Sequence, residues 1–221
     1  MKSLLAGLLA APLLLGSAHA QSLFDPQTDP NAGKQAGSVM VRLRAIGVLP
    51  TNMSSSTSIG GTVTATNQAA PELDLSYFFT DNFAVELIAA STRHNIAAAD
   101  TALGHVDVGS AWVLPPTITA QWHFMPRAKL SPYVGAGVTI AFFYNTQGSA
   151  PLVDKFALST TAGPAIQAGV DYNIDGHWFA NFDVKQMFFQ TNASISTTVG
   201  HVGARTWLNP TVIGAGIGYR F

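Results

Sequence analysis

The sequence predicts an all-β fold: an eight-stranded antiparallel transmembrane β-barrel with four long extracellular loops and short periplasmic turns. Three observations carry this. Eight stretches alternate apolar and polar residues with a period of two, which gives strands with two unlike faces. Charged residues make up 10% of the chain and hydrophobic residues 48%, whereas a soluble domain carries about 25% charge, so something other than water must solvate part of the surface. Finally, long and short connections alternate along the chain, which is the asymmetry of a membrane barrel.

The chain starts with a basic Lys2, an apolar run from Leu4 to Gly16, and Ala18-His19-Ala20. This is the three-part pattern of a secretory signal peptide cut after Ala20. Residues 21–37 are polar and contain two prolines before the first apolar run. They read as a flexible periplasmic lead-in to a barrel over residues 38–221.

The first strand, 38–48, sets Val39, Val41, Leu43 and Ala45 against Met40, Arg42 and Arg44. Two arginines on one row cannot both face lipid, so that row points inward. In 71–80, Leu73, Leu75, Tyr77 and Phe79 alternate with Glu72, Asp74 and Ser76. Thr80-Asp81-Asn82 is a tight turn by composition, and 83–94 returns with Phe83, Val85, Leu87 and Ala89 outward and Glu86 and Ile88 inward. In 117–124, Ile118, Ala120, Trp122 and Phe124 oppose Thr117, Thr119, Gln121 and His123, and in 131–144 Val134, Val138, Ile140 and Phe142 oppose Tyr133, Gly135, Gly137 and Thr139. The strand 158–172 has Ile166, Ala168, Val170 and Tyr172 against Gln167, Gly169 and Asp171. In 177–190, Trp178, Ala180, Phe182 and Val184 oppose Asn181, Asp183 and Lys185. The closing strand carries Ile213, Ala215, Ile217, Tyr219 and Phe221 on one row and Gly214, Gly216, Gly218 and Arg220 on the other. It should pair with residues 39–48 and remove both free edges.

Between these strands, 49–68, 95–113, 145–156 and 191–205 are rich in Ser, Thr, Ala, Gly and Asn and read as long loops, with a helical turn at Ala97–Ala99. Aromatics gather at the short-turn side: Tyr77, Phe79 and Phe83, then Trp122, Phe124 and Tyr133, then Tyr172 and Trp178, then Tyr219 and Phe221. That is one interfacial girdle. A soluble lipocalin-like barrel would place the polar row outside, but that row holds Gly135, Gly137, Gly169, Gly214, Gly216 and Gly218 among few charges, a poor solubilising surface.

The inward row assembles Arg42, Arg44, Lys185 and Arg220 with Glu72, Asp74, Glu86, Asp171 and Asp183. Such charges in a narrow lumen must pair or stay hydrated. An eight-stranded barrel is just wide enough for its side chains, so this interior charged layer predicts a plug of ion pairs in place of a water-filled pore. Above it, toward the long loops, Leu49, Met53, Ile88, Ile96, Trp112, Leu114, Phe156 and Trp207 are the candidates for an apolar mouth. Pro115, Pro116 and Pro210 lack the N–H that a ladder needs and mark places where strands could part for a lateral exit.

The chain also resembles the OmpW family of outer-membrane proteins. The residues that carry the resemblance are Met-Val-Arg-Leu-Arg-Ala-Ile-Gly-Val-Leu-Pro over 40–50, Pro-Glu-Leu-Asp-Leu over 71–75 and Tyr-Phe-Phe-Thr-Asp-Asn over 77–82. To these add Thr-Ala-Leu-Gly over 101–104, Leu-Pro-Pro-Thr over 114–117, Ser-Pro-Tyr-Val-Gly-Ala-Gly over 131–137, Gln-Ala-Gly-Val-Asp-Tyr over 167–172 and the final Gly-Tyr-Arg-Phe. The resemblance implies an eight-stranded barrel in the outer membrane of a Gram-negative bacterium, passive uptake of small hydrophobic compounds, and a link to stress response. It also implies that Phe221 is the signal read by the barrel-assembly machinery. Expected partners are outer-membrane lipid and lipopolysaccharide and small hydrophobic solutes.

Other chemistry finds little footing. The net charge of −1 offers no argument for nucleic acid. There is no cysteine, no His-x-x-x-His and no acidic calcium-type loop, so no metal or other cofactor is expected. A hydrolase or acyltransferase needs a nucleophile, His and carboxylate in reach; the mature histidines are scattered, no Gly-x-Ser-x-Gly occurs, and no enzyme is expected. A structural, stress-response or surface-receptor role without transport is the alternative, and it would reside in the loops.

Overall fold

The computed structural model describes residues 23–27, 29, 32–57, 61–101, 104–197 and 200–221, with the side chains of 51–57 outside that description. The predicted signal segment thus lies outside the described residues. Thirteen strand segments build eight staves. The first is β1 (Val39–Thr57). The second is β2 (Thr62–Ala65) with β3 (Gln68–Phe78), and the third is β4 (Phe83–Ala90) with β5 (Thr92–Thr101). The fourth is β6 (Gly104–Leu114) with β7 (Thr117–His123), and the fifth is β8 (Leu130–Gly148). Next come β9 (Val153–Leu158) with β10 (Thr161–Asp175), β11 (Trp178–Met187) with β12 (Phe189–Thr197), and β13 (Gly200–Arg220).

Antiparallel pairing runs β1–β3–β4–β7–β8–β10–β11–β13 and returns to β1, so the ring closes. The closing seam is in the expected register, from Met40 opposite Arg220 to Val48 opposite Val212. Closure matters because an unpaired backbone group in hydrocarbon costs several kcal/mol, on the order of a lost hydrogen bond or more.

The rows sort as the alternation requires. Leu73, Leu75, Leu87, Ile118, Val138, Ile166, Phe182 and Ile217 stand on the outer wall, while Arg42, Asp74, Glu86, Asp171 and Lys185 are buried inside. The glycine row has two separate reasons. Gly218 and Gly135 make room for side chains, since a Cβ there would meet Arg42 Cγ at 2.8 Å and Gln167 Cγ at 2.9 Å. At Gly216 a Cβ would strike the Leu43 carbonyl, so there it is the backbones themselves that approach closely.

The four long connections are not loops over most of their length. Residues 49–57 continue β1, β5 and β6 pair across 92–113, β8 runs on to Gly148, and β12 pairs with β13 over Phe189–Leu208. Ala97, Ala98 and Ala99 pair with β2 as strand, not as a helical turn. Hydrogen-bonding every backbone group to a neighbouring strand outweighs the weak local preferences of Ser, Thr and Ala. Above the ring the wall splits into two sheets, β2–β5–β6–β8 and β9–β12–β13–β1; among the described residues no ladder joins β8 to β9 or β1 to β2.

Two aromatic belts bracket the apolar wall. The lower one is the predicted girdle, with Tyr219 edge-on to both Trp178 and Phe221. Tyr133 is not part of it: its ring is buried in the lumen. The upper belt holds Trp112 stacked on Tyr144 at 6.1 Å between centroids, with Phe142, Phe188 and Trp207 exposed. Trp207 and Tyr219 on β13 stand about 30 Å apart along the axis at the usual rise and tilt, the thickness of a bilayer core.

Candidate functional site

The lumen has three levels. The central one is an ion-pair network. Arg42 Nη1 lies 3.0 Å from Asp74 and 3.5 Å from Glu86, and its Nη2 lies 3.1 Å from Asp171. Arg44 reaches Glu72 at 3.0 Å, Asp74 at 2.8 Å, Glu86 at 3.2 Å and Asp183 at 3.7 Å. Lys185 Nζ completes it, 3.5 Å from Glu72. Glu86 is the hub: besides both arginines, its Oε2 accepts from Thr119, Gln121 and Gln167 at 3.1, 2.7 and 2.8 Å. These donors come from inward positions of four strands, β1, β7, β10 and β11, so the network ties the ring together across its width.

Below it the lumen is closed by the lead-in. Residues read as flexible are instead fastened across two turns. The Lys34 amide donates to the Pro126 carbonyl at 2.9 Å, the Gly37 amide to Phe78 at 2.7 Å, and the Ala36 amide to the Asp81 carboxylate at 3.0 Å. Gly33, at φ +78°, is needed because a Cβ would meet the Pro126 carbonyl at 2.5 Å. The strap drives Lys34 into the barrel, where its fully buried ammonium sits 3.0 Å from Asp171 and 6.0 Å from the centre of the Phe179 ring. Phe179 belongs to an apolar cluster with Met40, Phe78 and Ala84. Arg220 stands level with Met40, one step closer to the short turns than Arg42, and its guanidinium donates to the Gly176 carbonyl at 3.4 Å. Lys34, absent from the predicted charged layer, thus joins the central network from this end.

Above the network the interior turns apolar. Ile46, Met187, Phe189 and Val212 form one cluster, and Ala98, Val108, Phe156 and Ile195 a second above it. They enclose a cavity of about 110 Å³ whose lining also includes Val48, Ile88, Ile96, Val113, Phe143 and Leu208. Its polar lining is sparse: Glu72, Thr92, His94, Thr191 and Thr206. His94 is already engaged, with Nδ1 2.7 Å from the Thr66 carbonyl and Nε2 2.9 Å from the Thr92 hydroxyl.

A closed eight-stranded ring, a charged waist and an apolar upper chamber narrow the comparison. The OmpW family model matches residues 35–221. The chain belongs to the OmpW family. It is 40% identical to the uncharacterized outer-membrane protein y4mB of Sinorhizobium fredii, over 98% of this chain and 95% of that one. It is 34% identical to outer membrane protein W of Escherichia coli across the full length of both. The crystal structure of OprG from Pseudomonas aeruginosa superposes with a TM-score of 0.80 at 26% identity, covering 86% of this chain and 98% of that one. The chain is thus an OmpW-type barrel of the Gram-negative outer membrane.

In this OmpW-type barrel the predicted mouth residues divide. Ile88, Ile96 and Phe156 line the chamber. Leu49 lies on the outward row, between inward Val48 and Pro50. Trp112, Leu114 and Trp207 are also on the outer wall, in the upper belt. The side chain of Met53 lies outside the described residues. Strand parity decides which of these residues face in. Counting by twos from Arg42 reaches Val48 and Pro50, and counting back from Arg220 reaches Leu208, so the sequence held the signal for both. Two consecutive prolines interrupt the count between β7 and Trp112.

Proposed function

We propose that the barrel takes up small hydrophobic molecules passively, admitting them to the upper chamber from outside and releasing them sideways into lipid, with no chemical step. The apolar chamber over a closed floor carries this reading. A solute entering from above meets hydrocarbon walls, and its way down is stopped by paired charges and the Lys34 strap, so the remaining route is through the wall. The wall lacks donors at the height of the chamber. Pro50 and Pro210 face each other on the β1–β13 seam with their backbone groups turned away from one another, so the missing amides are those each would offer its other neighbour, β3 and β11. Pro115 and Pro116 separate β6 from β7.

Reconstitution in liposomes tests it, comparing flux of an apolar dye with flux of a sugar. Dye without sugar is the expected result; sugar flux would replace this reading with a porin, and no flux of either would leave a structural or receptor role. Cysteine pairs at Gln186 and Thr211, which face each other across β11 and β13 beside Pro210, and a second pair beside Pro115 would lock the two exits. Unchanged dye flux with both pairs oxidised sinks the lateral route.

A further inference from the structure

The outer wall carries a further concavity above the membrane. It is a polar groove of about 500 Å³ on the outward face of the β2–β5–β6–β8 sheet, within the ~300–1,000 Å³ range of small-ligand sites. Two bulges shape it. The β5–β6 register slips between Ile96 and Ala97, and the β6–β8 register slips between Ser110 and Trp112. Gly109 sits between them at φ +148°, where a Cβ would strike the Gln147 carbonyl. Bulges bend the strand and re-aim its side chains. Here they gather Asn95, Ser110 and Gln147 into one hollow of amides and a hydroxyl. Ala111 and Val113, on the other face of β6, line the inner chamber, so the hollow lies on the outer face of the sheet, with Ala65 and Ile96 bordering both.

Its position defines its occupant. Arg93 pairs in register with Trp112, the ring stacked on Tyr144 in the upper belt. The exposed Arg93 donates to Ser110 Oγ at 3.0 Å, at the groove's lower edge. Beside the aromatic pair, which can meet acyl chains, the surface thus presents a guanidinium that reaches outward to Ser110, with Asn95 and Gln147 in register with that serine on either side. Asp107 is at the far end, four register steps from Arg93, where a carboxylate accepts from hydroxyls without facing the guanidinium. We propose that this groove docks the phosphorylated glucosamine headgroup of lipopolysaccharide, with phosphate on Arg93, sugar hydroxyls and amides on Asn95, Ser110 and Gln147, and acyl chains on Trp112 and Tyr144. The order matches that of the molecule, and the groove continues the lipid-facing wall of an outer-membrane protein.

The test uses the refolded full barrel in detergent, with native mass spectrometry reading retention of bisphosphorylated lipid A, dephosphorylated lipid A, phosphatidylglycerol and inorganic phosphate. Bisphosphorylated lipid A should be retained at least about tenfold better than the other three. Arg93→Glu should remove that preference, and Asn95→Leu should weaken it. Arg205→Glu, which alters an exposed cation near Trp207 on β13, should leave it intact. Heat-modified gel mobility confirms that each variant is folded, and Arg93→Gln replaces the glutamate variant if that one does not fold. Equal retention of phosphatidylglycerol, or equal loss in the Arg93 and Arg205 variants, overturns the proposal and reduces the contact to general charge attraction. Retention of inorganic phosphate alone overturns it in favour of an ion site.

Discussion

The lower and upper halves of this lumen are built by the same eight staves and hold opposite interiors. Around Arg42 the side chains that fill the lumen are mainly charged, amide or hydroxyl, with inward glycines such as Gly218 making room for them, and they consume one another's hydrogen bonds. Four residues higher on β1, Ile46 begins an apolar lining, and a cavity opens. The lower half is filled because arginines are long and need several acceptors each; the upper half is hollow because its lining is mostly apolar side chains that do not meet across the lumen. A barrel of fixed width is plugged or open according to side-chain chemistry alone.

The comparison can be broken most severely at the network. Arg42→Leu takes one cation from three buried carboxylates, Asp74, Glu86 and Asp171, which are left to Arg44 and Lys34 alone, and should destabilise the barrel by about 3–5 kcal/mol, read as a lower urea midpoint in reversible folding. A midpoint shift equal to that of an apolar truncation in the upper half would show that the two interiors are energetically alike. Lys34→Met should have a smaller effect, about 1–3 kcal/mol, because Asp171 keeps Arg42. Its signature is local: faster hydrogen exchange at the Lys34 and Gly37 amides, which are held by Pro126 and Phe78.

The upper half is broken by polarity. Ile88→Gln places an unsatisfied amide in the chamber wall and should lower apolar dye flux in liposomes about tenfold through the desolvation it demands, with a change in stability smaller than that of Arg42→Leu. The smallest effect belongs outside both interiors. Trp112→Ala removes the stack on Tyr144 and should cost about 0.5–1.5 kcal/mol with dye flux unchanged; a loss of flux would mean that the upper belt is itself part of the path.

The ring, its closing seam and its charged waist were legible because each rests on the two-residue period, which membrane strands must keep to present one face to lipid. The upper staves were not, because above the bilayer neither face is held to hydrocarbon and the alternation fades into a composition typical of loops. Lys34 was hidden for another reason. Its partner Asp171 lies far along the chain, and a polar lead-in with prolines and a glycine looks the same whether it waves in solvent or is fastened across a barrel end.

By itself, then, the sequence determined the class of fold, which residues face lipid, and where β13 meets β1, since alternation and aromatic placement are local properties of the chain. Only the tertiary structure decided that a lysine from the amino-terminal segment seals one end, that the apparent loops rise as paired strands, and that three of the eight apolar candidates face the chamber while four others stand on the outer wall. Those outcomes depend on closure of the ring, on bulges and proline breaks that reset parity, and on contacts between residues far apart in the chain.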